Sequence, residues 1–208
     1  MYAAFFLSFR NDTLYPSMTH TIDDERDVLF GVINRFIGFF TRDSQRHSEN
    51  DPESEYPFVA MDTRQVYAQI ALVRQALNEL RQPGQHLPTF LDIGCGIGNV
   101  LLFAELMDFQ AHGLEKDPFP CSVAIRLHGP DKVVQQDIWD FDDYSRFDVI
   151  YYFRPFHDGA LERRFERFIE DQLKPGGILI ANRKMDPSID NDPRFRRLHP
   201  EMPIWRKG

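Results

Sequence analysis

The sequence is short of several things that would narrow its class at once. It has only two cysteines, Cys95 and Cys121, in 208 residues. Neither belongs to a CxxC pair or another metal-ligand spacing, which argues against a disulfide framework and a structural zinc site. The seven histidines are scattered without an HExxH-type pair, so no metal is expected. No apolar run is long enough to span a bilayer. Residues 1–9 are apolar, but too short for a span and without the basic leader of a signal peptide. A cytoplasmic protein without membrane contact is the expectation, with Met1 and Met18 both open as the start. Basic charge is also scarce. Lys and Arg number 24 against 32 Asp and Glu, and the net charge of −8 repels phosphate backbones, which argues against a nucleic-acid partner. There are no internal repeats or low-complexity tracts, and nothing in the chain sets an oligomeric state.

What is present suits one packed domain with an extension. Hydrophobic residues make up 42% of the chain, enough for a core. Phenylalanine is unusually common at 19 copies, which suits either an aromatic-lined pocket or ordinary core filling. Residues 1–61 read as a helical extension or cap and residues 62–208 as the main domain, whose last stretch, from 183, is polar and broken by prolines. In the extension, Ile22, Leu29, Ile33, Phe36, Ile37 and Phe40 recur at helical spacing, with Thr21 as its cap. Residues 41–57 are polar and turn-rich, and read as a loop.

From Asp62 the pattern is regular. Val66, Ile70, Val73, Leu77 and Leu80 form a helical stripe ending at Pro83-Gly84. Short apolar strands are then predicted at 89–93, 111–115, 132–136, 148–153 and 178–181. Helices are predicted at 98–108, from the Asp117-Pro118 cap to Gly129, and from Asp158 onward. That last helix presents Leu161, Phe165, Phe168, Ile169 and Leu173 on one face, with Glu and Arg as a solvated face opposite. Residues 195–199 and 204–207 suggest a terminal hairpin. Strand–helix alternation requires parallel pairing with right-handed crossovers, hence an α/β, Rossmann-like doubly wound sheet with an antiparallel C-terminal strand. Its ligand should lie at the carboxyl ends of the first strands, where the strand order reverses.

Leu91-Asp92-Ile93-Gly94-Cys95-Gly96-Ile97-Gly98-Asn99 follows a strand and opens a helix. The glycines let backbone approach a ligand closely. Their spacing, GxGxG, is not the dinucleotide GxGxxG. Asp92, two residues before the first glycine, suits a cationic ligand better than a pyrophosphate, because like charges repel. In this motif the chain resembles the class I methyltransferases. The resemblance runs from about residue 62 to 181 and continues in order: Glu115 in GLEKD, Asp137-Ile138 in QQDIWDF, FDVI at 147–150, and LKPGG at 173–177. It implies S-adenosyl-L-methionine as cofactor, held by Asp92, Gly94, Cys95, Gly96, Gly98, Asn99, Glu115, Lys116, Asp137 and Ile138. In that family the acid ending the second strand takes the two ribose hydroxyls, and the position after the third strand contacts adenine. Gly98 is equally read as a close-packing glycine, and Asp137 as a turn-capping carboxylate.

Past the fourth strand the chain reads Tyr152-Phe153-Arg154-Pro155-Phe156 rather than the D/N-P-P-Y of amino-group methylators of adenine or glutamine, so that acceptor class loses support. His157 suits a general base and Arg154 a clamp for a carboxylate or phosphate. Their plainer readings are a loop histidine and a surface ion pair. Tyr56, Phe58 and Tyr67 are either an aromatic cover over a sulfonium or core aromatics. The expectation is methyl transfer to a small molecule or protein side chain. The alternatives are an NAD(P)-linked oxidoreductase and a non-catalytic S-adenosylmethionine-binding module.

Overall fold

The computed structural model describes residues 22–79 and 86–208. The expected cap Thr21, the apolar start at 1–9, Met18, Leu80 and the Pro83-Gly84 stop lie outside them. The first helix, α1, spans Ile22–Arg46, so it takes in residues 41–46, which the polar composition had marked as loop. That stretch holds no glycine or proline, and Thr41 Oγ1 donates to the Ile37 carbonyl at 2.7 Å, so nothing interrupts the ladder. Phe30 and Ile33 are buried apolar residues of α1. The Phe30 ring meets Tyr67 edge-on at 5.3 Å. Helix α2 spans Thr63–Asn78 and opens at Asp62, whose Oδ1 accepts from the Gln65 amide at 2.9 Å. Its stripe Val66, Ile70, Val73 and Leu77 is buried as the spacing predicts.

The remaining elements alternate. They are β1 Thr89–Ile93, α3 Asn99–Leu106, β2 Gln110–Glu115, α4 Pro118–His128, β3 Val133–Gln135, β4 Val149–Phe153, α5 Gly159–Gln172 and β5 Ile178–Asn182, then β6 Phe195–Arg197 and β7 Ile204–Lys207. They form one seven-stranded sheet in the order β3-β2-β1-β4-β5-β7-β6. β1 to β5 pair in parallel, and β7 lies antiparallel to both β5 and β6. The chain turns from one side of β1 to the other between β3 and β4, which leaves a crevice at the carboxyl ends of β1 and β4. After β5 the chain makes a 3-10 turn, Pro187–Asn191, opened by Asp186, and the hairpin expected from the tail follows it.

Both faces of the sheet are covered, so strand residues alternate between two cores. Phe90, Tyr151, Ile178 and Ile180 pack toward α1 to α4. Leu91, Ile93, Ile150, Tyr152 and Leu179 pack toward α5 through Phe165, Ile169 and Leu173. Each such fully buried large side chain is worth about 1.5–3 kcal/mol. The charged face of α5 is not solvated as expected. Glu162, Glu166 and Glu170 are all buried, while the arginines between them are outside. The loop after β5 folds back on them: Lys184 Nζ lies 3.0 Å from Glu166 and 2.7 Å from Glu170. The Met185 and Asp186 amides also donate to Glu166, and the Phe156 amide donates to Glu162 at 3.1 Å. A helical charge pattern alone does not reveal a neighbour placed by a distant loop.

No helix among the described residues is long and apolar enough to cross a membrane.

Candidate active site

The bend between β1 and α3 is drawn against β2. The Gly94 and Cys95 amides both donate to the Leu114 carbonyl, at 2.8 and 3.0 Å. Gly96 needs its positive φ of 55°, and a Cβ there would lie 2.2 Å from the Phe58 ring, so backbone and ring are in direct contact. Glu115, at the end of β2, closes the bend. One oxygen accepts from the Gly96 amide and the other from the Asp117 amide, both at 2.8 Å. A carboxylate has about four lone-pair positions, so about two remain for a ligand. Burial raises the Glu115 pKa to about 7 against these lowering amide bonds, and the Asp117 charge adds to the rise.

Asp92 lies one step further in, on β1, and is 2% exposed. Its Oδ2 has no hydrogen-bond partner among the described residues. Burial, then the charge of Glu115, pushes its pKa well above the usual carboxylate range. Two neighbouring carboxyls in a dry bend therefore have no ion-pair partner among the described residues.

The bend opens on a cavity of about 260 Å³. Of the expected cofactor residues, Gly94, Gly96, Glu115, Lys116 and Ile138 line it, as does Arg154. The others stand back from its wall. Cys95 is buried with Sγ toward β2, so close that a Cβ on Gly113 would meet it at 2.6 Å. It is a packing residue, and burial raises its thiol pKa far above the reactive range. Gly98 serves close packing instead, since a Cβ there would lie 2.7 Å from His128 on α4. Asn99 is buried in the first turn of α3. Asp137 turns back to accept from the Trp139 amide at 3.0 Å and lies 3.5 Å from Lys116. That is the turn-capping role, and it presents Ile138, whose carbonyl accepts from Tyr144 Oη at 2.7 Å. Asp117 occupies the cap position of α4, yet its side chain makes no capping bond.

The structure does not bring His157 to the cavity. Its Nε2 lies 2.9 Å from the Pro52 carbonyl, and its ring meets Tyr56 edge-on at 5.5 Å. The other wall comes from the segment before α2. Glu55 forms a β-bridge with Phe156, the Tyr56 amide donates to the Pro155 carbonyl at 3.1 Å, and the His157 amide to the Ser54 carbonyl at 3.0 Å. This stitching lays Tyr56 and Phe58 over the crevice, while Tyr67 packs into the core against Phe30 and Phe103. Glu55 also pairs with Lys116. Partial burial works against the Lys116 charge, but the bond to Glu55 and the nearby Asp137 raise its pKa overall. Lining residues missed from the sequence include Asn50, Glu55 and Arg183. Arg183 had a readable signal, since it directly follows β5. Asn50 and Glu55 had none, because only folding brings their segment to the strand ends.

Among solved structures, the amino pentose methyltransferase CalS10 of Micromonospora echinaspora, bound to S-adenosylmethionine, is 22% identical. The match covers 64% of this chain and 61% of that one, with a TM-score of 0.46. An RNA methyltransferase of Salinibacter ruber is 17% identical over 71% of this chain and 91% of its own, with a TM-score of 0.49. The sugar N-methyltransferase KedS8 of a Streptoalloteichus species is 23% identical over 68% and 61%, with a TM-score of 0.41. The chain spans about three fifths of the length of the first solved structures it matches. No curated protein sequence matches it. Residues 91–181, from the glycine bend to the end of β5, match the family model described as a methyltransferase domain. Over these residues, which make up less than half of the chain, the sequence is similar to that methyltransferase family.

Proposed function

We propose that this protein transfers a methyl group from S-adenosylmethionine to a small-molecule or protein acceptor seated against the loops after β4 and β5. The observation that carries this reading is the pair of buried carboxyls at the glycine bend. Asp92 and Glu115 lie together, and Asp92 Oδ2 has no hydrogen-bond partner among the described residues. A ligand bearing an ammonium and a sulfonium relieves that imbalance, whereas the diphosphate of a nicotinamide cofactor makes it worse. The residues present fit the cofactor on this count. Glu115 has acceptor capacity left for two ribose hydroxyls, Ile138 offers an apolar face for adenine, and the Gly94–Gly96 backbone allows close approach.

S-adenosylmethionine supplies an activated methyl group, so little acid–base chemistry is asked of the protein. What these residues contribute is orientation and exclusion of water. Phe58 and Tyr56 roof the crevice, and the bridge between Glu55 and Phe156 holds that roof to the acceptor side. With His157 engaged at the Pro52 carbonyl, the acceptor atom best suited is one whose lone pair is already free at neutral pH.

Calorimetry with S-adenosylmethionine and S-adenosylhomocysteine tests the reading. Binding to the wild type, weakened at least about tenfold in Asp92→Ala and Glu115→Ala, is the expected outcome. Unchanged affinity in both variants would overturn the site assignment. Stabilisation by a nicotinamide dinucleotide in place of S-adenosylmethionine would favour the oxidoreductase. Tight binding with no methyl transfer to any acceptor would favour a binding module.

A further inference from the structure

The carboxyl ends of β4 and β5 lie side by side, with Phe153 paired to Asn182. The residue after each is an arginine, and both arginines line the cavity. Both also hold left-handed backbone, with φ of 28° at Arg154 and 61° at Arg183. Such conformations cost free energy in a non-glycine residue and persist where the surroundings fix them. Asp108, the other described non-glycine residue of this kind, merely ends a helix.

The two guanidiniums are under-used. Arg154 donates from Nε to the Phe156 carbonyl at 3.3 Å, lies over the Tyr56 ring at 5.6 Å and is near enough to Glu162 for its charge to lower that carboxyl's pKa, but its terminal nitrogens have no hydrogen bond or ion pair among the described residues. Arg183 is exposed and has no hydrogen bond or ion pair among the described residues. Asn182 beside it is locked by a reciprocal bond to Gln69, at 2.7 and 3.1 Å, so the end of β5 is held in place.

From this geometry we infer that Arg154 and Arg183 form an oxyanion clamp, and that the methyl acceptor is a small molecule bearing a carboxylate or a phosphate monoester. The inference rests on the methyl-transfer reading for which ligand fills the other half of the crevice. The cavity is polarised, with Glu115 and Asp117 on its wall at and just after the end of β2, Asp92 behind them and the Lys116 charge there paired with Glu55, against the two arginines at the ends of β4 and β5. The acidic pole suits the cationic donor. Two further positive charges facing that donor would repel it unless the acceptor brings a negative one. Paired planar guanidiniums match the bidentate geometry of such an oxyanion. The Phe58 and Tyr56 roof and the net charge of −8 favour a small anion over a nucleic-acid backbone.

The test uses the full chain saturated with S-adenosylhomocysteine and titrated calorimetrically with benzoate, phenyl phosphate and the uncharged benzamide. At least one anion should bind about tenfold or more tightly than benzamide, and Arg154→Gln or Arg183→Gln should each remove most of that preference. Arg183→Gly, which relaxes the backbone, should lose the preference while staying folded. Benzoate binding ahead of phenyl phosphate supports a carboxylate acceptor, and the reverse supports a phosphate monoester. Equal binding of benzamide, or anion binding untouched in the variants, overturns the clamp. If S-adenosylhomocysteine fails to bind while benzoate binds in an arginine-dependent way, the methyl-transfer reading falls and the oxyanion site stands.

Discussion

Lowering the pH from 8 to 6 should weaken S-adenosylhomocysteine binding by about tenfold, and Glu115 is the reason. Its carboxyl accepts two backbone amides, and burial raises its pKa to about 7. Ribose hydroxyls are donors and favour the ionised form. At pH 8 about nine tenths of the groups are ionised, and at pH 6 about one tenth, so the binding-competent fraction falls by nearly a decade, or about 1.4 kcal/mol. Binding near pH 7 should also release about half a proton, read by calorimetry in two buffers of different ionisation enthalpy. The ligand's own amino and carboxyl groups do not titrate in this window. Glu115→Gln should flatten the profile and bind weakly throughout, because its amide NH₂ must face one of two backbone N–H groups. A wild-type affinity that is constant from pH 6 to 8, with no proton released, would refute the argument. The sign for folding is opposite to that for binding. A carboxyl whose pKa rises from 4.5 to about 7 on folding stabilises the fold fully below pH 4.5 and loses about 3 kcal/mol as the pH rises through 7. The ligand-free protein should therefore melt earlier at pH 8 than at pH 5.5.

Two other substitutions test the buried charges. Asp92→Asn removes a carboxyl that burial and Glu115 hold far above its ordinary pKa. It should raise the ligand-free Tm at pH 8 by ~2–4 °C, about 1 kcal/mol, while weakening cofactor binding; a lower Tm at that pH would contradict the account. Lys184→Met strips the cation from between Glu166 and Glu170. It should cost about 3–5 kcal/mol in urea unfolding at pH 8, and less at pH 5, where protonating Glu170, whose pKa burial already raises, relieves the loss. A loss below about 1 kcal/mol at pH 8 would mean that water already reaches those carboxylates.

The alternation of strands and helices, the glycine bend and the acid at the end of β2 were legible in the sequence, because each is local. Period-2 and period-3.6 patterns, and the spacing of Asp92, Gly94, Gly96 and Glu115, need no knowledge of distant contacts. Even the terminal hairpin could be read from its two short runs. What only the tertiary structure decided was which side chains face the cavity and which charges are buried. Cys95 lies in the bend just after β1 and Glu115 ends β2, yet the cysteine points into packing and the carboxyl into the bend. The acids of α5 look solvated until Lys184 arrives from another loop, and Asn50 and Glu55 reach the crevice only because their segment pairs with the chain after β4. Local pattern sets the elements, but long-range contacts bring groups distant in sequence within a few ångströms, and only there do burial and neighbouring charge act.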